Sequence, residues 1–458
     1  MSNDQYASST GGYEPRGLMR FIVRWLTRHY YPRLEIDGRE RIPQTGPVLL
    51  CANHANSLID PVIIGIAARR PVRFMAKAPL FDDPVLGPPM KALGMVPAFR
   101  GRDDASEVRR NLESLDVAAK VLVEGRAMGI FPEGVSTDEE HLEMIRSGAG
   151  RMALQAVAEG AAGLLVVPIG IAYERKDQFR SAVLVRVAEP INVEGLLAEH
   201  DGNERLARRA FTALVEARLK EVVISLDEPK WAPWLDDLAV LVPPPESVPR
   251  TPGRRLWQRK RLADAINYFL ANDRPLAESV AADVESYRDA VKAAHLTVDS
   301  PLLRSSRLWV ALTLLLSAVW LALLSLPALY GTLLHIVPFV LVRRLAKRLD
   351  QPGRKTISTN RMLVGTPLYG AWYLVLGLLV GFFISWPTAA AWLVTAPLTG
   401  IVAMYYWRYA RRTVRLLYHE TLTLLAPGTL RRLRSLRAAL CERLEELVEH
   451  YGQVAPRT

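Results

Sequence analysis

The sequence predicts an α/β domain with a mainly parallel sheet, followed by a helical linker and an all-α transmembrane region. Three observations carry that expectation: short β-branched runs alternating with helical patterns in the first half, a proline-rich break near the middle, and two long uncharged stretches beyond it. At 458 residues the chain exceeds the roughly 250–300 residues at which single cores stop growing, so at least two domains are expected.

Residues 1–16 are polar and Gly/Ser-rich, with no apolar run to serve as a secretory signal. Within 1–33 an amphipathic helix follows: Leu18, Phe21, Ile22, Trp25 and Leu26 recur at helical spacing, with Arg20, Arg24 and Arg28 on the other face. Such a helix either packs on the domain or lies in a lipid interface. Strands are expected over 47–52, 72–76, 95–99, 128–131, 164–172 and 182–187. Between them Val108, Leu112, Leu115, Ala119 and Leu122 mark one helix, and 205–223 supplies another. This alternation sets an α/β domain over 34–225, in which functional groups gather at strand carboxyl ends.

Prolines 229, 233, 243, 244, 245, 249 and 252 break any regular element and define a linker over 226–253, ahead of a charged helical segment over 254–307. Residues 308–342 and 362–407 contain no Asp, Glu, Lys or Arg. A membrane span needs about 20 apolar residues. The second block therefore reads as two spans broken near Trp386-Pro387, and the first as one full span plus a shorter one after Pro327. Transmembrane hairpins over 308–407 result, with basic and amphipathic helices over 408–458. Arg304, Arg307, Arg343, Arg344, Lys347, Arg348, Arg354, Lys355, Arg408, Arg411, Arg412 and Arg415 flank the blocks, and the hairpin tips carry no charge. The positive-inside rule then puts both termini, and the α/β domain, on the cytoplasmic side of an integral membrane protein.

The net charge of +11 suits nucleic acid and an anionic membrane alike, and the uncharged blocks decide for membrane. Cys51 and Cys441 stand far apart, which excludes a disulfide framework and a zinc site, and Cys51 reads as a small core residue. The eight histidines lack metal-ligand spacing, so no metal or other cofactor is expected.

The chemistry concentrates in Asn53-His54-Ala55-Asn56-Ser57-Leu58-Ile59-Asp60-Pro61. A neutral imidazole at a strand end can take a proton from a hydroxyl nucleophile. Six residues of continuous helix rotate roughly 600°, so His54 and Asp60 meet only across a turn, which Asn56 and Ser57 permit. Asp60 would then fix the ring tautomer and stabilise the imidazolium. The competing reading makes Asp60 an N-cap ahead of Pro61, with Ser57-x-x-Asp60 as a capping box. Downstream, Arg100 closes a strand with Arg102 nearby, and Lys77 ends another; such cations suit a phosphate dianion. Phe131-Pro132-Glu133-Gly134-Val135-Ser136 sets a carboxylate and a glycine in a tight turn after a strand. Glu133 is placed to hold a substrate hydroxyl or an arginine, and Gly134 to let a backbone N–H approach substrate; a plain Pro/Gly turn is the alternative.

In these segments the chain resembles the glycerophospholipid acyltransferase superfamily, the PlsC-type enzymes. Blocks at 54–60, 94–100, 131–134 and 166–169 match in order, Phe74-Met75-Ala76-Lys77 and 148–154 are also similar, and the resemblance covers about 34–191. It implies a His54/Asp60 dyad, acceptor binding by Arg100, Glu133 and Gly134, acyl-CoA or acyl-carrier-protein as co-substrate, and no covalent acyl-enzyme. Two features depart from the common pattern. Five residues instead of four separate His54 from Asp60, and Val135-Ser136 stand where Thr-Arg is common. Both are similar to the branch containing yeast-type glycerol-3-phosphate and dihydroxyacetone-phosphate acyltransferases. Phosphate binding then falls to Lys77, Arg100, Arg102 or Arg146, with Ser136 a further substrate-binding candidate.

The expected activity is membrane-bound O-acyl transfer to glycerol 3-phosphate or 1-acylglycerol 3-phosphate. The expected partners are membrane lipids, the acyl donor and a glycerophosphate-type acceptor, and not nucleic acid. The alternatives are a lysophospholipid-remodelling acyltransferase and a non-catalytic membrane lipid-binding scaffold. A hydrolase would need a strand-nucleophile-helix elbow with flanking glycines, which Ser57 lacks.

Overall fold

The structure is a computed structural model and describes residues 17–98, 105–137, 139–244, 250–350 and 356–454. The chain forms two compact units. One comprises the chain to Pro229 with Glu246–Lys260 and Gln351–Thr359; the other comprises Lys230–Pro245, Arg261–Asp350 and the chain from Asn360 onward.

The first unit contains, in order, α1 (Gly17–Tyr30), β1 (Arg33–Asp37), β2 (Val48–Ala52), α2 (Ile59–Ala68), β3 (Val72–Lys77), α3 (Gly87–Ala92), β4 (Val96–Ala98), α4 (Ala105–Val123), β5 (Ala127–Ile130), α5 (Gly148–Ala158), β6 (Leu165–Tyr173), β7 (Ala182–Val187), β8 (Ile191–Asn192), α6 (Val193–Ala198) and α7 (Glu204–Val222). The sheet order is β1-β7-β6-β2-β5-β3-β4, with β8 also pairing β6. Strands β6, β2, β5, β3 and β4 run parallel, while β7 and β8 run antiparallel to β6. The sheet is thus mainly parallel.

β2 lies between β6 and β5, and all five of its residues are buried. That burial is why it reads as an unbroken apolar run instead of an alternating one. Leu49 and Cys51 join a core with Leu122, Met152, Phe211 and Val215 from the helices. Cys51 is fully buried there, and burial pushes its thiol well above the ordinary range, consistent with an inert core residue. Because the five parallel strands share a direction, the segments following β2, β5 and β3 and the ends of β4 and β6 lie at one edge of the sheet. That edge positions the site.

β1 escapes the sequence reading because Arg33, Glu35 and Asp37 alternate with two apolar residues in a strand that pairs only β7. α1 presents its apolar stripe outward: Leu18, Phe21 and Trp25 are exposed, whereas Thr27 and Tyr30 are buried and Arg24 donates to the Gly65 carbonyl at 2.6 Å. The helix therefore docks on α2 by its polar side, and the stripe does not pack on this unit.

α8 (Ala232–Leu241) forms inside the stretch expected to lack regular structure. Pro233 sits in its first turn, where a missing N–H costs no helical bond. α9 (Arg254–Asn272) and α10 (Arg274–Ala293) follow, then α11 (Arg307–Arg348), α12 (Ile357–Phe383), α13 (Trp386–Leu425) and α14 (Pro427–Val454). The expected hairpin in the first uncharged block does not form. α11 runs unbroken for 42 residues through Pro327 and Pro338. A proline removes one ladder bond, whereas a turn inside an apolar stretch would strip several backbone groups of partners. In the second block the chain turns at 384–385, where the Ser385 hydroxyl accepts the Thr388 N–H at 3.3 Å.

Among the described residues, α11, α12 and α13 are long and apolar enough to cross a membrane, by length and composition. Three such helices in place of four spans also remove the even count on which the shared side of both termini rested.

Candidate active site

The loop after β2 turns back on itself between His54 and Asp60. The Ile59 N–H bonds the Asn56 carbonyl at 3.0 Å, and Ser57 takes a left-handed φ of 39°. That turn resolves the spacing problem, since a helix through the segment would point the two side chains apart. His54 Nδ1 lies 2.9 Å from Asp60 Oδ2. Asp60 is not an N-cap. Leu58 holds that position without a side-chain bond, and Asp60 sits inside the first turn of α2 with its carboxylate folded back toward the loop.

The carboxylate is fully buried and well supplied with donors. Oδ2 accepts the Asn56 N–H at 2.7 Å as well as the imidazole, and Oδ1 accepts the Tyr173 hydroxyl at 2.6 Å. The Asn56 amide in turn donates to the Tyr31 hydroxyl at 3.0 Å, and Tyr31 and Ser358 both donate to the Lys176 carbonyl. Asn53 ties the start of the loop to β6 by two bonds with Ile171, at 3.1 and 2.7 Å.

The ring of His54 stacks on Phe131 at 4.0 Å between centroids with 12° between planes. Phe131 stacks in turn on Phe74. Gly129 makes room for this shelf, because a Cβ there would lie 2.1 Å from the Phe74 ring. A carboxylate can only accept, so Nδ1 is the nitrogen that donates in this bond and Nε2 takes no part in it. The His54 side chain is 17% exposed, enough for a substrate hydroxyl to reach it while most of the ring stays dry.

Glu133 follows β5 and is almost fully buried. Its oxygens accept the backbone N–H of His54 at 2.9 Å and of Glu143 at 3.3 Å, so it braces two loops and touches no arginine through either bond. Burial raises its carboxyl to about 7, outweighing the two amide bonds that favour the anion. Gly134 does not offer its N–H to a substrate, since that group closes the turn onto the Phe131 carbonyl at 3.0 Å. What the glycine supplies is a φ of 70° and space, because an added Cβ would meet the Arg146 guanidinium at 3.0 Å. Beyond it the Thr137 N–H bonds the His54 carbonyl at 2.9 Å, with the half-buried Ser136 just before it.

Lys77 stands exposed at the end of β3. Arg100 and Arg102 lie outside the described residues, as does the end of the expected strand at Phe99. The structure thus brings together His54, Asp60, Glu133, Gly134 and the 136–137 backbone. Sequence reasoning missed Tyr173, Tyr31 and Asn56 as supports. The available signal was a tyrosine closing the strand beside β2. A cavity of about 280 Å³ adjoins these supports, walled by Asn53, Glu133, Tyr173, Lys176 and Arg259, and His54 is not on its wall.

Residues 33–172 match the family model described as Acyltransferase. A chloroplastic 1-acyl-sn-glycerol-3-phosphate acyltransferase of Arabidopsis thaliana is 26% identical over 158 residues, 34% of this chain and 41% of that protein. Glycerol-3-phosphate O-acyltransferase 2 of Saccharomyces cerevisiae is 26% identical over 271 residues, 55% of this chain and 34% of that protein. The chain therefore spans less than half the length of either relative. The crystal structure of the 1-acyl-sn-glycerophosphate acyltransferase PlsC from Thermotoga maritima aligns with a TM-score of 0.33 at 18% identity, covering 44% of this chain and 78% of that one. Residues 33–172 thus carry the match to the acyltransferase family, and over this stretch the chain is similar to enzymes of the glycerophospholipid acyltransferase superfamily.

Proposed function

We propose that this protein is a membrane-bound O-acyltransferase that moves a fatty acyl group from acyl-CoA or acyl-carrier-protein to the hydroxyl of glycerol 3-phosphate or 1-acylglycerol 3-phosphate. The observation that carries the reading is the His54–Asp60 bond, which engages Nδ1 and leaves Nε2 to act as the base on an imidazole stacked against Phe131. Nε2 takes the proton of the acceptor hydroxyl as its oxygen attacks the thioester carbonyl. The C–O bond forms, the C–S bond breaks, and the imidazolium returns its proton to the departing thiolate. Asp60 offsets the imidazolium charge while it lasts.

Acceptor phosphate falls to Lys77 at the end of β3 and Arg146 beside Gly134, with Arg100 and Arg102, which lie outside the described residues, as further candidates from the sequence. Glu133 serves by holding the His54 backbone in register. Orientation of the α/β unit toward the cytoplasm follows from its donors, which are cytosolic thioesters. The outward apolar stripe of α1, with Arg20 and Arg28 alongside, suits the interface of the same membrane.

The test is labelled acyl transfer by the full chain in lipid or detergent, with glycerol 3-phosphate, dihydroxyacetone phosphate and 1-acylglycerol 3-phosphate offered separately, and with each donor. Product with one of them, lost in His54→Ala, is the expected result. Transfer only to lysophospholipids with larger head groups would favour remodelling, and no product with any pairing would favour a scaffold.

A further inference from the structure

We infer that Tyr173 is a positioning residue for the dyad, holding the Asp60 carboxylate so that one oxygen alone faces His54. The inference rests on the proposed role of His54 and adds a group that acts on it through Asp60.

An aspartate carboxylate turns easily about its last side-chain torsion, which has no sharp staggered wells. At Asp60 three donors converge and remove that freedom. Tyr173 bonds Oδ1 at 2.6 Å, while the Asn56 N–H and the imidazole share Oδ2. A fully buried carboxylate without such donors would be costly to keep charged. The placement of Tyr173 is itself secured. It ends β6, two residues beyond Ile171, which is double-bonded to Asn53 immediately before His54, and its ring lies 5.5 Å from Tyr31. Burial, and then the Asp60 charge, push the Tyr173 phenol well above its ordinary value, so it stays a donor.

Among the described residues, the ionisable groups facing the dyad are Tyr173 on β6, Tyr31 after α1, and Glu133 after β5 with Glu143 behind it; Lys176 reaches the loop through the Ala55 carbonyl at 2.9 Å. Removing the Tyr173 hydroxyl leaves Oδ1 short of a donor, which raises the proton affinity of the His54–Asp60 pair as a unit.

The experiment compares Tyr173→Phe with wild type in the full chain, reading kcat, acceptor KM and the titration of the His54 imidazole by nitrogen NMR. The expected result is a kcat lower by about 10–100-fold, an acceptor KM changed little, and a dyad titration moved up by about one pH unit. Tyr31→Phe is the comparison, because Tyr31 touches the Asn56 side chain and not the carboxylate. It should lower thermal stability without moving the titration. An unmoved titration in Tyr173→Phe, or an equal shift in Tyr31→Phe, would overturn the assignment. Should Tyr173→Phe not fold, carbon-labelled tyrosine in the wild-type chain decides: the Tyr173 resonance must move with the dyad titration, and a flat trace contradicts the role. Absence of acyl transfer in wild type would defeat the functional reading while leaving this titration test intact.

Discussion

The loop after β2 and the turn after β5 each bury a carboxylate at the same sheet edge, and they use it differently. Asp60 shares its two oxygens among an imidazole, a phenol and one backbone amide. Glu133 receives backbone amides from His54 and Glu143, and burial holds its carboxyl at about 7. One buried carboxylate is shared with an ionisable ring, the pairing on which the proposed proton transfer relies, and the other is a brace whose partners are main chain. The first arrangement should govern rate, the second register and stability.

That contrast can be broken most sharply at His54. His54→Ala should lower kcat by about 10³–10⁴-fold at unchanged fold, read by labelled transfer and near-ultraviolet circular dichroism. A variant retaining a tenth of the activity would remove the general base from the account. Next, Asp60→Asn should keep the fold and lose about 10²-fold or more in kcat, since the amide cannot stabilise the imidazolium. Full activity would leave Asp60 as a structural residue only.

Glu133→Gln sharpens the other half. The folded-state carboxyl sits near 7 against an ordinary 4.5, so the unfolded chain gives up this proton first. The wild-type fold therefore loses about 3 kcal/mol as pH climbs from about 4.5 to beyond 7. Denaturant unfolding across that range should show the decline in wild type and its disappearance in Glu133→Gln; parallel profiles would contradict the buried, titrating carboxyl. The smallest effect is expected at Arg146. Arg146→Ala should raise the acceptor KM about tenfold with kcat nearly unchanged, as for a group that binds ground state and transition state alike. An unaltered KM would move phosphate binding to Lys77, Arg100 or Arg102.

How much of this was legible in the sequence depended on how local the signal is. The buried strand β2 announces itself as an apolar run, and the position of His54 behind it follows directly. The turn that joins His54 to Asp60 was permitted by Asn56 and Ser57, but the helix-start chemistry of Asp60-Pro61, taken alone, read better, because a first-turn aspartate and a folded-back carboxylate share one sequence. Tyr173 was invisible as a support, since its relation to Asp60 is made by the pairing of β6 with β2 across more than a hundred residues. Gly134 and Glu133 were singled out from the Pro/Gly turn, but the bonds that hold them were not. The φ of Gly134 and the inward turn of Glu133 are set by the Phe131 carbonyl and the His54 amide, which no spacing rule supplies. In the second unit, composition located the apolar blocks, and Pro327 of α11 suggested a break that a continuous helix overrides.

Direct attack by an acceptor hydroxyl activated at His54 can be separated from a covalent route by single-turnover mixing of enzyme with labelled acyl thioester. Without acceptor, the account predicts no thiol burst and no label bound to protein; adding acceptor should release thiol and labelled ester together, in a step that Asp60→Asn slows. Label trapped covalently on the protein before acceptor is added would contradict it.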